Sequence, residues 1–250
     1  MKLLLDIGNT RIKWGCLADG RLQQCGEWVH RGQSVAANRE QIARLPVKPE
    51  QAAAVNVAGA ELEALIATEL HATHGIELQS LRTGPMWGEV RNGYVDHTQL
   101  GADRWAAIVG AFARYQADLC VVDAGTAVTI DWISKDGQHL GGFILPGREL
   151  AQAALRGETA DIDAFASCQS DPAAGTEPGQ STREAIARGA DFALCAAIDR
   201  AAQRRAGLAA EPLLVLTGGD ADNLLPGLSS QADLSPQLVL EGVACLAGWQ

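Results

Sequence analysis

The hydrophobic pattern of the chain begins with two predicted strands of different character. Residues 2–5 form a short, nearly continuous apolar run, which predicts a strand buried on both faces. Residues 11–17 alternate between apolar and polar side chains, which predicts a strand with one buried face. Asp19-Gly20 then indicates a tight hairpin that returns the chain along residues 21–29. The first part of the chain is therefore predicted to be rich in β-structure.

The same order of residues recurs in the second half of the chain. Residues 120–122 form another apolar run, followed by Asp123-Ala124-Gly125, which matches Asp6-Ile7-Gly8 in the first half. A second alternating stretch and a second hairpin signal, Asp136-Gly137, complete the repeat. Because predicted helices follow both groups of strands, we expect an α/β protein with two duplicated lobes.

The rest of the pattern predicts helices between and after these strands. The predicted helices cover residues 61–71, 101–115, 149–155, 181–205 and 238–249, and two more strands cover residues 52–57 and 213–216. The helix at residues 181–205 has a predicted packing face at Ala185, Ile186, Gly189, Ala190 and Ala193. We place the N-terminal lobe at residues 1–115 and the C-terminal lobe at residues 116–250, and the last helix is allowed to pack on the first lobe.

Two segments have no clear hydrophobic period. Residues 83–100 are rich in Gly, Pro, Trp and Asn, and they predict an ordered loop. Residues 160–180 contain two prolines and two glycines, Pro172, Gly175, Pro178 and Gly179, and they predict a mobile connection.

Composition and charge narrow the kinds of partner. The 250-residue chain has a formal net charge of −10 and no run of Lys or Arg, so its electric field repels nucleic acid and anionic membranes. Its apolar runs are far shorter than a membrane span. The six cysteines form no Cys-x-x-Cys pair and no signal peptide is recognised, which favours a reducing cytoplasm over a disulfide framework. We therefore expect a cytoplasmic protein that binds neither nucleic acid nor membrane, and the His and Cys spacing predicts no zinc site.

The turn after the first strand carries groups that bind phosphate and magnesium. In Asp6-Ile7-Gly8-Asn9-Thr10, a carboxylate at a strand end is followed by glycine and by exposed main-chain N–H groups. Such N–H groups bind phosphate oxygens, while Asp6 can orient hydrated Mg²⁺. Thr10 can donate its hydroxyl to a phosphate, and Lys13 projects toward the same place from the next strand. A simple turn stabilised by aspartate is the alternative explanation.

Two further turns add to this pattern. Asp123-Ala124-Gly125-Thr126 offers a second carboxylate and a second hydroxyl beside main-chain N–H groups. Thr217-Gly218-Gly219-Asp220 follows a predicted buried strand and allows the backbone to approach a purine and ribose closely. Each turn alone is also explained as an ordinary connection, but ligands of α/β sheets gather where strands end. Because the P-loop and Rossmann glycine motifs are absent, any nucleotide site here is of another kind.

A fourth motif, Gly101-Ala102-Asp103-Arg104, begins an apolar helix. Asp103 lies where a helix N-cap residue is expected, so capping is the structural alternative to a chemical role. Arg104 in the first turn opposes the helix dipole, which indicates an anionic partner nearby. Asp103 would then accept a proton from a substrate hydroxyl that attacks a γ-phosphoryl group. Tyr94 and His97 lie just upstream and can line the same pocket, although His97 alone is also explained as a structural or solvent-facing residue.

Together these motifs resemble those of the acetate/sugar kinase–Hsp70–actin superfamily, whose two duplicated ribonuclease H-like lobes bind ATP. Within that superfamily the chain is most similar to the type III pantothenate kinase family. The motifs of that family appear here, in the same order, at residues 6–10, 101–104, 123–127 and 141–147. Each motif alone is weak, but the ordered set spans almost the whole chain and is specific.

The resemblance implies an enzyme that phosphorylates pantothenate to 4'-phosphopantothenate with ATP and Mg²⁺, the first step of coenzyme A biosynthesis. By position, the residues expected to bind ATP are Asp6, Gly8, Asn9, Thr10, Lys13 and Thr126. The residues expected to bind pantothenate are Tyr94, Gly101, Ala102, Asp103, Arg104 and Thr182, with the pantothenate carboxylate as the anion near Arg104. Asp103 is expected to be the general base, and Asp123 is expected to bind an activating monovalent cation, K⁺ or NH₄⁺.

The resemblance also implies a homodimer in which Thr182 reaches the pocket of the partner subunit. Ser181 or Thr176 can be confused with the matching threonine, so this position is the least direct of the assignments. Ser181 or Thr182 followed by Glu184 also suits the start of a helix, which gives Thr182 a structural alternative.

Two other functions share part of the pattern. A different kinase or phosphatase of the same fold would carry the turns at Asp6 and Asp123, but it has no reason to carry residues 101–104 in this place. A non-enzymatic accessory factor for transcription is the second alternative. The net charge of −10 disfavours direct contact with DNA, and the presence of Asp103, Lys13 and Asp123 favours catalysis.

Overall fold

The protein divides into two compact units. A computed structural model describes residues 1–45, 48–157, 175–204, 207–208 and 210–249. The N-terminal unit comprises Met1–Tyr115 together with Gln237–Gln250, and the C-terminal unit comprises Gln116–Pro236. Most of the predicted mobile connection at residues 160–180 lies outside the described residues.

Strands and helices follow one another in each unit. The strands are β1 (Lys2–Ile7), β2 (Arg11–Ala18), β3 (Arg21–Val29), β4 (Gln51–Asn56), β5 (Leu78–Ser80), β6 (Met86–Trp87), β7 (Val90–Arg91), β8 (Leu119–Ala124), β9 (Ala127–Ile133), β10 (His139–Pro146), β11 (Leu213–Thr217) and β12 (Ala232–Leu234). The helices are α1 (Val35–Ala43), α2 (Ala60–His74), α3 (Ala102–Tyr115), α4 (Arg148–Gly157), α5 (Thr182–Ala202), α6 (Ala221–Leu224) and α7 (Leu238–Leu246), with short 3-10 turns at His97–Gln99 and Leu225–Gly227.

The main sheets of the two units have the same topology. Their strand orders are β3-β2-β1-β4-β5 and β10-β9-β8-β11-β12. In each sheet the central strand has an antiparallel neighbour on the hairpin side and a parallel neighbour on the other side. Both hairpins turn at the predicted Asp-Gly pairs, where Gly20 has a φ of 70° and Gly137 a φ of 79°. The predicted α/β fold with duplicated lobes is confirmed.

The central strands are buried as their apolar runs predict. Leu3, Leu4 and Leu5 of β1 are at most 1 % exposed, and the corresponding part of β8 is equally buried. A strand with neighbours on both edges and layers on both faces has no polar side, which explains why these runs do not alternate. The polar residue at the end of each run, Asp6 or Asp123, is followed by one more buried residue of the strand, Ile7 or Ala124.

Helix α7 packs on α3 and completes the core of the N-terminal unit. A Cβ atom on Gly242 would lie 1.8 Å from the main-chain oxygen of Ala106, and one on Gly110 would lie 2.7 Å from that of Leu238. Only glycine permits such close approach of two helix backbones. Most residues of α7 are buried, in agreement with its nearly uninterrupted apolar sequence.

The predicted packing face of α5 is wrong in part. Ala185, Gly189 and Ala193 are exposed. The buried residues of α5 are Ala190, Asp191, Leu194, Cys195, Ile198, Ala201 and Ala202. The physical reason is Asp191, whose carboxylate is buried because Arg148 of α4 binds it with two hydrogen bonds. A pattern based on hydrophobicity assigns a charged residue such as Asp191 to the exposed side of a helix. The predicted packing face therefore lies on a different side of α5 from the observed one.

The loop predicted at residues 83–100 has a defined internal structure. It contains the β6–β7 hairpin and a 3-10 turn, and Thr83 Oγ1 donates a hydrogen bond of 2.8 Å to the main-chain oxygen of Leu100. Asn92 donates through its side chain to the main-chain oxygens of Gly84 and His97, at 3.3 and 3.4 Å. These bonds join the two ends of the loop and hold it directly before α3.

The cysteines in the described part of the chain are free thiols: Cys16, Cys25, Cys120, Cys195 and Cys245. Burial raises the pKa of Cys120 to about 12, and the charge of Asp131 adds to this effect. Burial likewise raises the pKa of Cys16 to about 11, so these two thiols stay protonated and pack as small apolar groups. Cys168 lies outside the described residues. None of the helices in the described ranges has the length and apolar character that crossing a bilayer requires.

Candidate active site

Asp6 and Lys13 are direct neighbours at the end of β1. They are paired in the antiparallel register of β1 and β2, so their side chains lie on the same face of the sheet. Asp6 is only 8 % exposed, whereas Lys13 is half-buried. The turn that follows is closed by a hydrogen bond of 3.1 Å from Gly8 N to Arg11 O. The predicted combination of carboxylate, tight turn and lysine is therefore formed within the N-terminal unit.

The residues after β3 hold this turn from outside. His30 N and Arg31 N donate hydrogen bonds of 3.1 and 3.3 Å to the main-chain oxygen of Thr10. The ring nitrogen Nε2 of His30 lies 2.7 Å from the main-chain oxygen of Gly8. His30 was not predicted from the sequence, because no motif connects it to a turn that lies more than twenty positions earlier in the chain.

Asp103 is the second residue of α3, so its predicted position as N-cap residue is wrong. The helix begins at Ala102, and Gly101 O accepts the first helical hydrogen bond from Trp105 N at 2.9 Å. Asp103 is half-buried, and its Oδ1 accepts a hydrogen bond of 2.7 Å from Arg104 N. A carboxylate in the first turn is stabilised there by the helix dipole and by main-chain N–H groups.

Gly101 allows Asp103 to fold back over the start of α3. A Cβ atom on Gly101 would lie 2.6 Å from Asp103 Oδ1 and 3.8 Å from Cγ1 of Val57. Val57 follows β4, and its N–H donates a hydrogen bond of 3.0 Å to the main-chain oxygen of Ile7. These contacts bring the start of α3 to the carboxyl ends of β1 and β4, where the Asp6 turn also lies.

The buried Arg104 and the half-buried Tyr94 form a pair beside Asp103. Arg104 is 5 % exposed, and its Nη1 donates a hydrogen bond of 2.8 Å to Oη of Tyr94. The Tyr94 main chain is fixed in turn by a hydrogen bond of 3.0 Å from Tyr94 N to Oδ1 of Asn92. His97 contributes to the same loop through its main-chain oxygen. The structure therefore brings Tyr94, Arg104 and Asp103 together, as the sequence analysis predicts.

The turn after β8 is a close meeting point of main-chain segments in the C-terminal unit. Gly147 N donates a hydrogen bond of 3.0 Å to Thr126 O, and Asp220 N donates one of 2.8 Å to Ala124 O. A Cβ atom on Gly218 would lie 2.5 Å from Oδ1 of Asp123. The predicted motifs at residues 123–127, 141–147 and 217–220 thus converge on one turn.

Thr217 is the neighbour of Asp123 on β11, as Thr129 is on β9. Thr217 and Asp123 are paired in the parallel register of β8 and β11. Thr217 is 1 % exposed, and its Oγ1 is buried without a hydrogen-bond partner among the described residues. A buried hydroxyl without a partner is energetically unfavourable, so this atom is a candidate for binding a ligand.

Thr182 is the first residue of α5 and is exposed. Ser181 is the N-cap residue, because its side chain accepts a hydrogen bond of 3.2 Å from Glu184 N. Glu184 in turn accepts one of 2.8 Å from Gln180 N. Of the two residues considered for capping this helix, Ser181 and Thr182, it is Ser181 that caps it.

Comparison with known proteins identifies the family. A family profile described as "Type III pantothenate kinase" matches residues 2–204. Type III pantothenate kinases from Ectopseudomonas mendocina and Herminiimonas arsenicoxydans are 38 % and 39 % identical to the chain, over 98 % and 99 % of its length and 98 % and 97 % of theirs. The chain belongs to the type III pantothenate kinase family.

Solved structures similar to this family member support its fold. A conserved Baf family protein from Campylobacter jejuni matches with a TM-score of 0.63 at 23 % identity, over 98 % of this chain and 97 % of that protein. A protein from Sinorhizobium meliloti assigned as a 2-dehydro-3-deoxygalactonokinase matches with a TM-score of 0.58 at 14 % identity, over 99 % and 98 %. Together with the duplicated sheets, these similarities establish the fold of the acetate/sugar kinase–Hsp70–actin superfamily.

Membership of the type III pantothenate kinase family also gives the class of reaction. The protein is a kinase of coenzyme A biosynthesis, and it uses ATP to phosphorylate pantothenate. The family motifs are the ones whose geometry is described above. The roles of individual residues remain predictions.

We predict that Gly218→Ala disrupts the turn after β8. The added Cβ would lie 2.2 Å from the main-chain oxygen of Ala124, at a φ of +100°. Gly141→Ala is the matched control, because its φ is +94° and its added Cβ would have no described atom within 4 Å. We expect Gly218→Ala to be less stable than Gly141→Ala by about 1–3 kcal/mol in urea unfolding. Equal stability of the two variants would show that the close contact relaxes without a penalty.

Proposed function

We propose that Asp103 is the general base that deprotonates the primary hydroxyl of pantothenate as it attacks the γ-phosphoryl group of ATP. The observation that carries this proposal is the position of the carboxylate. It is half-buried at the first turn of α3, oriented by Arg104 N, and close to the end of β1. A base must be both accessible and fixed, since proton transfer requires contact at hydrogen-bond distance.

The Asp6 turn is proposed to bind the phosphates of ATP through Gly8, Asn9, Thr10 and Lys13. Main-chain N–H groups, a hydroxyl and an ammonium group suit phosphate oxygens. Asp6 is suited to Mg²⁺ as a single carboxylate, because Mg²⁺ bound with a nucleotide keeps several waters and needs few protein ligands. Lys13, paired with Asp6 in the sheet, supplies positive charge at the same end of the strand. The bound ion would neutralise charge on the phosphates.

Pantothenate is proposed to bind at Tyr94, Gly101, Ala102, Asp103 and Arg104. The buried guanidinium of Arg104, oriented by its hydrogen bond to Tyr94, suits the carboxylate of this substrate. Thr182, exposed at the start of α5, is proposed to bind pantothenate in the partner subunit through its hydroxyl. Because Ser181 already caps the helix, the Thr182 side chain has no capping task there.

Asp123 is proposed to bind an activating monovalent cation, K⁺ or NH₄⁺, and Thr126 is proposed to contact ATP. The donor atoms near Asp123 fit a hard cation, since they are oxygens from a carboxylate, main-chain carbonyls and the Thr217 hydroxyl, which has no hydrogen-bond partner in the described part of the chain. The bound cation would supply positive charge at the Asp123 turn.

A homodimer is proposed to form through the C-terminal unit. Large apolar side chains are exposed on β10, α4 and α5: Phe143, Ile144, Leu150, Leu155 and Phe192. These elements are neighbours, since α4 contacts both β10 and α5. Helix α5 also exposes Ala185, Gly189 and Ala193, three of the residues that the sequence pattern assigns to a packing face. A second copy of the chain would cover this surface, in keeping with the tendency of exposed apolar patches to mark interfaces.

We predict that Asp103→Asn retains ATP binding but lowers turnover by about two to four orders of magnitude, because only the proton acceptor is lost. The measurement is pantothenate-dependent ADP release with ATP, Mg²⁺ and K⁺, together with calorimetric titration of ATP. Glu61→Gln is the matched control, since it also removes one carboxylate from the second residue of an exposed helix start, in α2.

The outcome can refute the proposal at two levels. Near-normal turnover of Asp103→Asn would remove Asp103 from the role of base. ADP release that does not depend on pantothenate, or no ADP release by the unaltered protein, would refute the proposed reaction itself.

We predict that Asp123→Ala weakens the preference for K⁺ over Na⁺, because the charged ligand of the cation is lost. The ratio of the ADP-release rates in K⁺ and in Na⁺ measures this preference. Asp136→Ala removes an exposed carboxylate from a hairpin of the same unit and should leave the ratio unchanged. An unaltered ratio in Asp123→Ala would exclude Asp123 from the cation site.

We predict that Phe192→Asp shifts the protein from dimer to monomer, since it places a charge on a side chain that is 61 % exposed in the single chain. Val35→Asp is the control, because Val35 is similarly exposed at 58 % but lies on α1 of the N-terminal unit. Sedimentation velocity measures the mass of both variants. A dimer that persists in Phe192→Asp would place the interface elsewhere.

A further inference from the structure

We propose that His30 is a positioning residue that sets the orientation of the phosphate-binding turn. This inference rests on the proposed binding of ATP phosphates at residues 6–13. His30 lies outside every motif of the sequence analysis, and it carries no role in the reaction proposed above. What distinguishes it is that its side chain and its main chain both bind the turn.

The hydrogen bonds define the protonation of the ring. Gly8 O is a carbonyl oxygen and can only accept, so His30 Nε2 must carry the hydrogen and donate it over 2.7 Å. His30 N and Arg31 N both donate to Thr10 O, two residues after Gly8. Two of the carbonyl groups in the turn are therefore fixed by donors from residues 30 and 31.

Fixing a carbonyl also fixes an N–H group. A peptide unit is planar and trans, so its C=O and N–H bonds point in opposite directions. When His30 holds the oxygen of Gly8, the N–H of Asn9 in the same peptide unit is directed to the opposite side. Gly8 permits many backbone conformations, so this peptide would otherwise rotate more freely than its neighbours. His30 thus selects one orientation of an N–H group that is proposed to bind phosphate.

The position of His30 is itself well determined. Arg11 and Val29 are paired in the register of β2 and β3, so His30 is the first residue beyond the pairing and lies beside the turn. The chain then reverses through a hydrogen bond of 3.0 Å from Gln33 N to His30 O, with Gly32 at a φ of 77°. A positive φ at the third residue is typical of a type II turn, and glycine suits it. The main chain is therefore fixed on both sides of His30, which restricts where its ring can lie.

Pre-orientation of the turn acts on nucleotide affinity. A flexible turn must be ordered when the phosphates bind, and that loss of conformational entropy weakens binding. If His30 only filled space, any side chain of similar size would replace it. If His30 acts as a donor to Gly8 O, only a side chain with a donor at the same distance can replace it.

Two variants separate these roles. His30→Gln retains an N–H donor that reaches about as far as Nε2 of histidine, whereas His30→Met has a similar length and no donor. We expect His30→Met to raise the dissociation constant of Mg·ATP and the KM for ATP by about tenfold, the effect of losing one well-oriented hydrogen bond. The KM for pantothenate should change little. His30→Gln should recover most of the affinity for ATP.

The readouts are calorimetric titration of Mg·ATP, the two KM values and the melting temperature of each variant. Equal ATP affinity in His30→Met and the unaltered protein overturns the inference. So does an equal loss in both variants, because a donor would then be irrelevant. If His30→Met does not fold, the comparison of His30→Gln with His30→Asn, whose donor is shorter by one methylene, decides between the same outcomes.

A parallel variant tests the assumption beneath the inference. Lys13→Met removes a proposed phosphate ligand directly. If Lys13→Met binds ATP normally, the proposed phosphate site is wrong and the role of His30 is refuted with it. If Lys13→Met weakens ATP binding and His30→Met does not, the phosphate site stands and only the inference about His30 is refuted.

Discussion

The central strand of each sheet has an antiparallel neighbour on one side and a parallel neighbour on the other, and this mixed pairing determines where the functional groups lie. On the antiparallel side the chain must reverse at once, which creates a tight turn at the carboxyl end of the strand. On the parallel side the next strand ends at the same edge, which brings a second loop to that turn. Asp6 and Asp123 each occupy this position, so a single topology produces both turns.

Close approach of main-chain segments is the second constraint on the site. In the C-terminal unit the residues around Gly147 and Gly218 come so near the turn of β8 that a side chain has no room. In the N-terminal unit Gly101 leaves space for the carboxylate of Asp103 to fold over the helix start. Main-chain polar groups are the donors and acceptors that a nucleotide and its ions require, and glycine is the residue that leaves them accessible.

The parts of the structure predicted from the sequence are those that depend on neighbouring residues. The apolar runs of β1 and β8 and the two hairpin turns all follow from local pattern. The exposed side of α5 was wrongly predicted because Arg148 buries Asp191 from a distant part of the chain.

Contacts that the local sequence pattern does not reveal also explain the errors and omissions at the candidate site. Asp103 is one position further into α3 than a capping residue, since Gly101 accepts the first helical hydrogen bond. His30 was missed, because its bond to Gly8 joins residues that no sequence motif connects. Tyr94 was predicted to line the pocket beside Asp103 and Arg104, but its hydrogen bond with Arg104 was not predicted.

Helix α7 has a consequence for how the protein is made. It follows the whole C-terminal unit in the chain, yet it packs against α3 through the contact of Gly110 and Gly242. During synthesis on the ribosome, α3 therefore has no partner for this face until the C-terminal unit has been completed. The unit made second has contiguous residues and can fold before the unit made first. Asp103 sits on α3, so the helix that carries the proposed base completes its packing only after α7 has been made.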